Sequence, residues 1–102
     1  MSEPIEVTQF VTEVGMRLRL MRVARGLSQA DLAERADVSR QTLMAIEGGA
    51  LSTRFADVAR LLWVLDDVAL QTALASAAQD AVYQEAARTS LPRSKRRGKG
   101  EA

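Results

Sequence analysis

From Glu13 onward the apolar residues return at three- and four-residue steps. Val14, Leu18 and Met21 recur on one face, with Leu20 and Val23 beside them, while Arg17, Arg19, Arg22 and Arg25 fill other positions. That spacing predicts an amphipathic helix, and Gly26 stands where a helix-ending C′ residue would. Ser28 then reads as an N-cap, with Asp31 three residues on as a shortened capping box. Leu32, Ala33 and Ala36 form the buried side of a helix of barely two turns. Asp37-Val38-Ser39 leaves room only for a tight turn, after which Ser39 caps a third helix with Leu43 and Ile46 inward and Gly48-Gly49 as its stop. A fourth helix is predicted over Arg54–Leu65, with Phe55, Val58, Leu62 and Leu65 inward and Asp66-Asp67 as its boundary. Val68, Leu70 and Leu74 carry an Ala-rich fifth helix to about Ala78, and a weak sixth covers residues 80–88.

The two ends are different. Before Glu13 there is no clear period: Pro4 should break any early helix, and Ile5, Val7, Phe10 and Val11 leave a short strand, an arm or a frayed turn open. After Pro92 the Ser/Lys/Arg/Gly tail cannot bury enough apolar surface to fold alone. The expected organisation is an N-terminal arm over 1–12, a helical domain over 13–66, a helical extension over 67–91 and a disordered basic tail over 92–102. The fold class is all-α, with five helices and the weak sixth.

Composition supports that class and removes others. The chain has 102 residues, enough for one small domain, and 47% are hydrophobic. Ala (17) and Leu (12), both strong helix formers, supply most of these, while aromatics are only 4%, against an all-β or doubly wound fold. Without Cys there are no disulfides, thiolate zinc sites or cysteine nucleophiles; without His the commonest general base and metal ligand are gone. No Gly-rich phosphate loop or paired-carboxylate motif appears, so an enzyme has almost no support and no metal or cofactor is expected. No apolar run approaches the ~20 residues of a membrane helix, and no leader pattern opens the chain.

The formal net charge of +1 conceals an uneven distribution. Residues 1–13 hold Glu3, Glu6 and Glu13 and no cation, while residues 14–53 hold six Arg against four acids. Residues 54–90 are slightly acidic. Arg93, Lys95, Arg96, Arg97 and Lys99 then face Glu101 alone. Two basic regions separated by an acidic one suit a polyanion or an acidic partner.

The most informative stretch is Gln29–Ile46. Two short helices joined by three residues must cross steeply, and the apolar residues Leu32, Ala36, Val38, Leu43 and Ile46 fall where burial is required. Ala33 stands at the closest approach. The outward positions of the second of these helices hold Arg40, Gln41, Thr42, Met44 and Ala45, polar at the N-terminal end. In a helix-turn-helix that end enters the major groove, where Arg can bond guanine and Gln adenine in bidentate fashion. The backbone N–H groups at the helix starts behind Ser28 and Ser39 suit phosphate oxygens.

LSQADLAERADVSRQTLMAIEGG resembles the helix-turn-helix of the Xre/Cro repressor family, and the similarity runs from about Val14 to Leu65. The resemblance implies an Xre/Cro-type domain with a phosphate contact from Gln29 and base or phosphate contacts from Ser39, Arg40, Gln41, Thr42 and Met44 or Ala45; Ser28, at the helix start that suits a phosphate, completes the DNA-binding set. It also implies an ion pair between Arg22 and Glu47 that braces the first helix against the third. Asp37 departs from the Gly that the family prefers in a left-handed turn; Asp tolerates that conformation better than most residues. RFADVARLLWVLDD, the Ala/Leu helix, Leu91-Pro92 and the basic tail are similar in layout to HipB-like antitoxins encoded beside HipA-type kinases.

These readings imply a cytoplasmic, nucleoid-associated homodimeric repressor on a palindromic double-stranded DNA operator. The alternative is an antitoxin that neutralises a HipA-type partner kinase and autorepresses its operon. Arg17, Arg19 and Arg25 read first as the solvated side of a helix, and Trp63 as core filling under the fifth helix, ahead of an interface. The five tail cations, Arg93 to Lys99, are auxiliary phosphate contacts or a solubilising end.

Overall fold

The computed structural model describes residues 3–90. Among them every regular element is helical: α1 (Ile5–Ala24), α2 (Gln29–Ala36), α3 (Arg40–Glu47), α4 (Phe55–Val64), α5 (Val68–Ala75), a 3-10 turn (Ser76–Gln79) and α6 (Ala81–Ser90). The chain divides into two units, Met1–Val68 and Ala69–Ala102.

In the first unit α1 starts at Ile5, eight residues before the hydrophobic period suggested, so residues 5–12 are helix and not an arm. Pro4 is the N-cap, where a missing N–H costs nothing because first-turn amides have no intrahelical acceptor. Its carbonyl accepts the N–H groups of Val7 and Thr8. Pro4 therefore starts the helix that it was expected to break. α1 packs on α3, and α2 packs on both α3 and α4.

The core is Leu18 of α1, Leu32, Ala33 and Ala36 of α2, Leu43 and Ile46 of α3, and Leu61, Leu62 and Leu65 at the end of α4. Val38 is half-buried. The face chosen by α4 differs from expectation: Leu61 is buried, Val58 is half-buried, and Phe55 is exposed. Trp63 is 75% exposed, so it is not core filling. Gly15 is buried at the α1–α3 contact, where a Cβ would stand 2.3 Å from the Ile46 carbonyl oxygen.

The second unit holds most of α5, the 3-10 turn and α6, and neither helix buries a residue. Asp80 caps α6, its Oδ1 accepting the Val82 N–H at 2.7 Å. The basic tail from Arg93 to Lys99 lies outside the described residues.

Candidate nucleic-acid interface

The ends of α2 and the start of α3 are set by side-chain caps and one left-handed residue. The Ser28 side chain accepts the Asp31 N–H at 3.0 Å, and Asp31 returns a bond from the Ser28 N–H at 3.3 Å, closing a capping box at the start of α2. Asp37 ends α2 in the left-handed region, φ 57° and ψ 45°. Ser39 Oγ accepts the Thr42 N–H at 2.9 Å and donates to Thr42 Oγ1 at 2.8 Å, which fixes the first turn of α3. α3 therefore leaves the turn in one direction, with its N-terminus held by a side chain.

On α3, Leu43 and Ile46 face the core, and Arg40, Gln41, Met44 and Ala45 are exposed. At 100° per residue these four share one face. Ser39 is exposed beside them and Thr42 is half-buried. The outward set anticipated for DNA thus stands together at the N-terminal half of one helix, with two bidentate-capable side chains first.

Glu47 closes α3 from inside. Its carboxylate accepts Arg22 Nε at 2.6 Å and Arg22 Nη2 at 3.1 Å, in a pair whose side chains are only 11% and 4% exposed. Arg22 also donates to the Leu27 carbonyl at 2.9 Å. Gln29 Nε2 donates to the same Glu47 carboxylate at 3.1 Å, which leaves its second amide hydrogen for another acceptor. The Arg22–Glu47 pair thus ties α1, the loop after it, α2 and α3 together.

Several charged residues beyond the anticipated set are placed by distant partners. Arg17, read as a solvated cation, forms a two-pronged pair with Asp67, Nε–Oδ2 and Nη2–Oδ1 both at 2.6 Å, and Asp67 is buried. Its hydrogen bonds to Asp67 raise the Arg17 pKa above the ordinary arginine value. Arg25 donates to the Asp66 carbonyl. Asp57 is buried between Arg54 and Arg60, its neighbours at three residues' distance on either side. Arg54 and Arg60 line a groove of about 510 Å³ together with Ser39, Thr42 and Ala45 of the α3 side. Sequence reasoning missed these two cations at the groove; the signal was the Arg-x-x-Asp-x-x-Arg spacing of residues 54–60.

Two short capped helices crossing at a three-residue turn, with a polar face on the second, define a DNA-binding module. The model of the family described as "Helix-turn-helix domain" matches residues 13–66, just over half of the chain. The protein belongs to that family. No curated protein and no solved structure gave a match. Among the described residues no helix is long and apolar enough to cross a membrane.

Proposed function

We propose that this protein is a sequence-specific transcriptional regulator, a homodimeric repressor whose α3 reads the major groove. The observation that carries the reading is the solvent face of α3, where Arg40 and Gln41 open a helix aimed by the Ser39 cap and backed by the Arg22–Glu47 pair. Arg40 suits guanine O6/N7 and Gln41 suits adenine N6/N7. Met44 and Ala45 present apolar surface to a thymine methyl. Ser28, Gln29, Ser39 and Thr42 supply phosphate contacts that set register without reading sequence. Arg54 and Arg60, at the groove beside α3, add positive charge where the second strand's backbone would run.

A module this small covers little DNA, and two-fold symmetry on a palindromic operator doubles the contact, with half-sites about 34 Å apart. Repression then follows from occupancy of a promoter. The test is selection of bound sequences from a random duplex pool by the full chain, followed by titration of the selected site. Arg40→Ala with Gln41→Ala should cost about 2–6 kcal/mol of specific binding if each makes one bidentate contact. Helicity should be unchanged, since both side chains are exposed. A folded double variant that binds the selected site as tightly as the parent would sink the assignment.

A further inference from the structure

The chain's four aromatic side chains all stand outside the core: Phe10, Phe55, Trp63 and Tyr83 are each more than half exposed. The core is built from Leu, Ile and Ala instead. Two of the four aromatics share a face. Phe55, Ala59 and Trp63 stand at four-residue steps on α4, so the helical repeat brings them into one stripe, on the side away from Leu61 and Leu65. Phe55 is 71% and Trp63 75% exposed, the two most exposed aromatic side chains of the unit. Alongside runs an apolar groove of about 420 Å³, floored by Ala36 and Ala59 and rimmed by Trp63, Val64, Arg35 and Arg60.

We propose that this face is a self-complementary pairing surface whose occupant is a second copy of the chain, with the two α4 helices antiparallel. The stripe has a middle residue through which a two-fold axis can pass. Ala59 lies midway between Phe55 and Trp63, so a two-fold axis at Ala59 sets each copy's Trp63 against the other's Phe55 and makes that contact twice. The methyl side chain at the crossing lets the helix axes approach to about 8 Å, the near end of the packing range. Aromatic side chains cover about 150–250 Å² each when fully buried, and at 71% and 75% exposure the two from each copy bring roughly 440–730 Å² to the pair. With the groove walls added, the area stays below the ~1,200 Å² at which stable interfaces begin, in the range of a weak pair that dissociates on dilution. A charged peptide suits the face less well, because Asp37 adds an acid to the groove that Arg35 and Arg60 line. The pairing rests on the dimeric reading given above and supplies its surface.

Trp63 is the only Trp in the chain, so its emission reports the interface directly. Sedimentation velocity and Trp emission of the full chain over a dilution series should show a dimer whose emission moves to the red as it dissociates. Ala59→Arg strikes the symmetric interface twice, and should raise the dimer Kd by roughly 100-fold or more while helicity holds. The chain has no cysteine, so oxidised Ala59→Cys should form one covalent dimer across the axis, whereas Val23→Cys, exposed on α1, should not at equal concentration. A wild type that stays monomeric with water-like emission overturns the proposal. So does a dimer that survives Ala59→Arg, or one that Ala59→Cys fails to cross-link. The DNA reading is scored separately: Arg40→Ala with Gln41→Ala should dimerise normally. A chain that selects DNA as a monomer overturns the pairing and the dimeric part of the proposed function but leaves the DNA reading of α3 standing, and one that pairs at Ala59 but selects no DNA overturns the DNA reading alone.

Discussion

Glu47 carries more of the interface's rigidity than any residue that would touch DNA. Three N–H groups from two helices converge on its carboxylate, in surroundings that leave it 4% exposed. Glu47→Ala strands the Arg22 cation in that site, and should cost about 3–5 kcal/mol in urea unfolding. Replacing Arg22 and Glu47 together with apolar residues should cost less, because no buried charge is left alone. Single variants as stable as the parent would mean that solvent reaches the pair. Gly15 makes the opposite kind of demand. A methyl there meets the Ile46 carbonyl, which cannot rotate away, so Gly15→Ala should destabilise by about 1–3 kcal/mol. Helix propensity alone predicts a gain of about 1 kcal/mol, so the sign of the measured change decides between packing and propensity. The Arg22–Glu47 pair was legible only through the family resemblance. Gly15 was not legible at all, because the reason for it lies on another helix.

At the scale of elements, α1 to α4 share one way of stopping. In each, a left-handed residue follows the last turn: Gly26, Asp37, Gly49 and Asp66 have φ of 70°, 57°, 83° and 54°. The next residue's N–H then reaches back five positions, from Leu27 to Arg22, Val38 to Ala33, Ala50 to Ala45 and Asp67 to Leu62. This is the Schellman closure, and it satisfies carbonyls that would otherwise be orphaned. Its punctuation is what made α2 and α3 readable: the caps Ser28 and Ser39, and the stops at Gly26, Asp37 and Gly48-Gly49, are local signals. The face of α4 had no such signal. Residues 58–65 are apolar on more than one side, so periodicity could not choose between Phe55 and Leu61; packing against α2 chose. Asp66 and Asp67 looked like simple punctuation, yet Asp67 is buried against Arg17, a partner on α1 that spacing cannot reveal. The two aspartates at positive φ are suboptimal stops. Asp37→Gly should stabilise the domain by about 0.5–1 kcal/mol, less than the full left-handed penalty because glycine gains freedom in the unfolded chain. For a domain of this size that is a rise in Tm of about 2–8 °C, read by thermal melts. A fall would show that the Asp37 side chain does more than fill a turn.

For the whole molecule, the distribution of charge matters more than its sum. The formal net charge is only +1, but the cations cluster in α1, around the groove beside α3, and at Arg93, Lys95, Arg96, Arg97 and Lys99. Those last five follow Pro92 with no apolar residue among them, which is the composition of a phosphate-binding segment and equally of a partner-binding one. Salt separates the two roles. Each phosphate neutralised on duplex DNA contributes about 0.9 to the slope of log affinity against log salt. If the segment lies along the operator backbone, deleting residues 93–102 should flatten that slope by up to ~4 units for each chain bound, since not all five cations engage at once. The selected sequence should hardly change, because phosphate contacts position a protein without reading bases. Arg40→Ala with Gln41→Ala should do the reverse, losing preference for the site while keeping most of the slope. If the segment instead holds a kinase encoded alongside, truncation should leave the slope unchanged and abolish co-purification of that kinase. An unchanged slope removes the DNA role, and unchanged co-purification removes the partner role. The five cations would then act on solubility alone, and the contacts that bind the operator would all come from the helix-turn-helix domain.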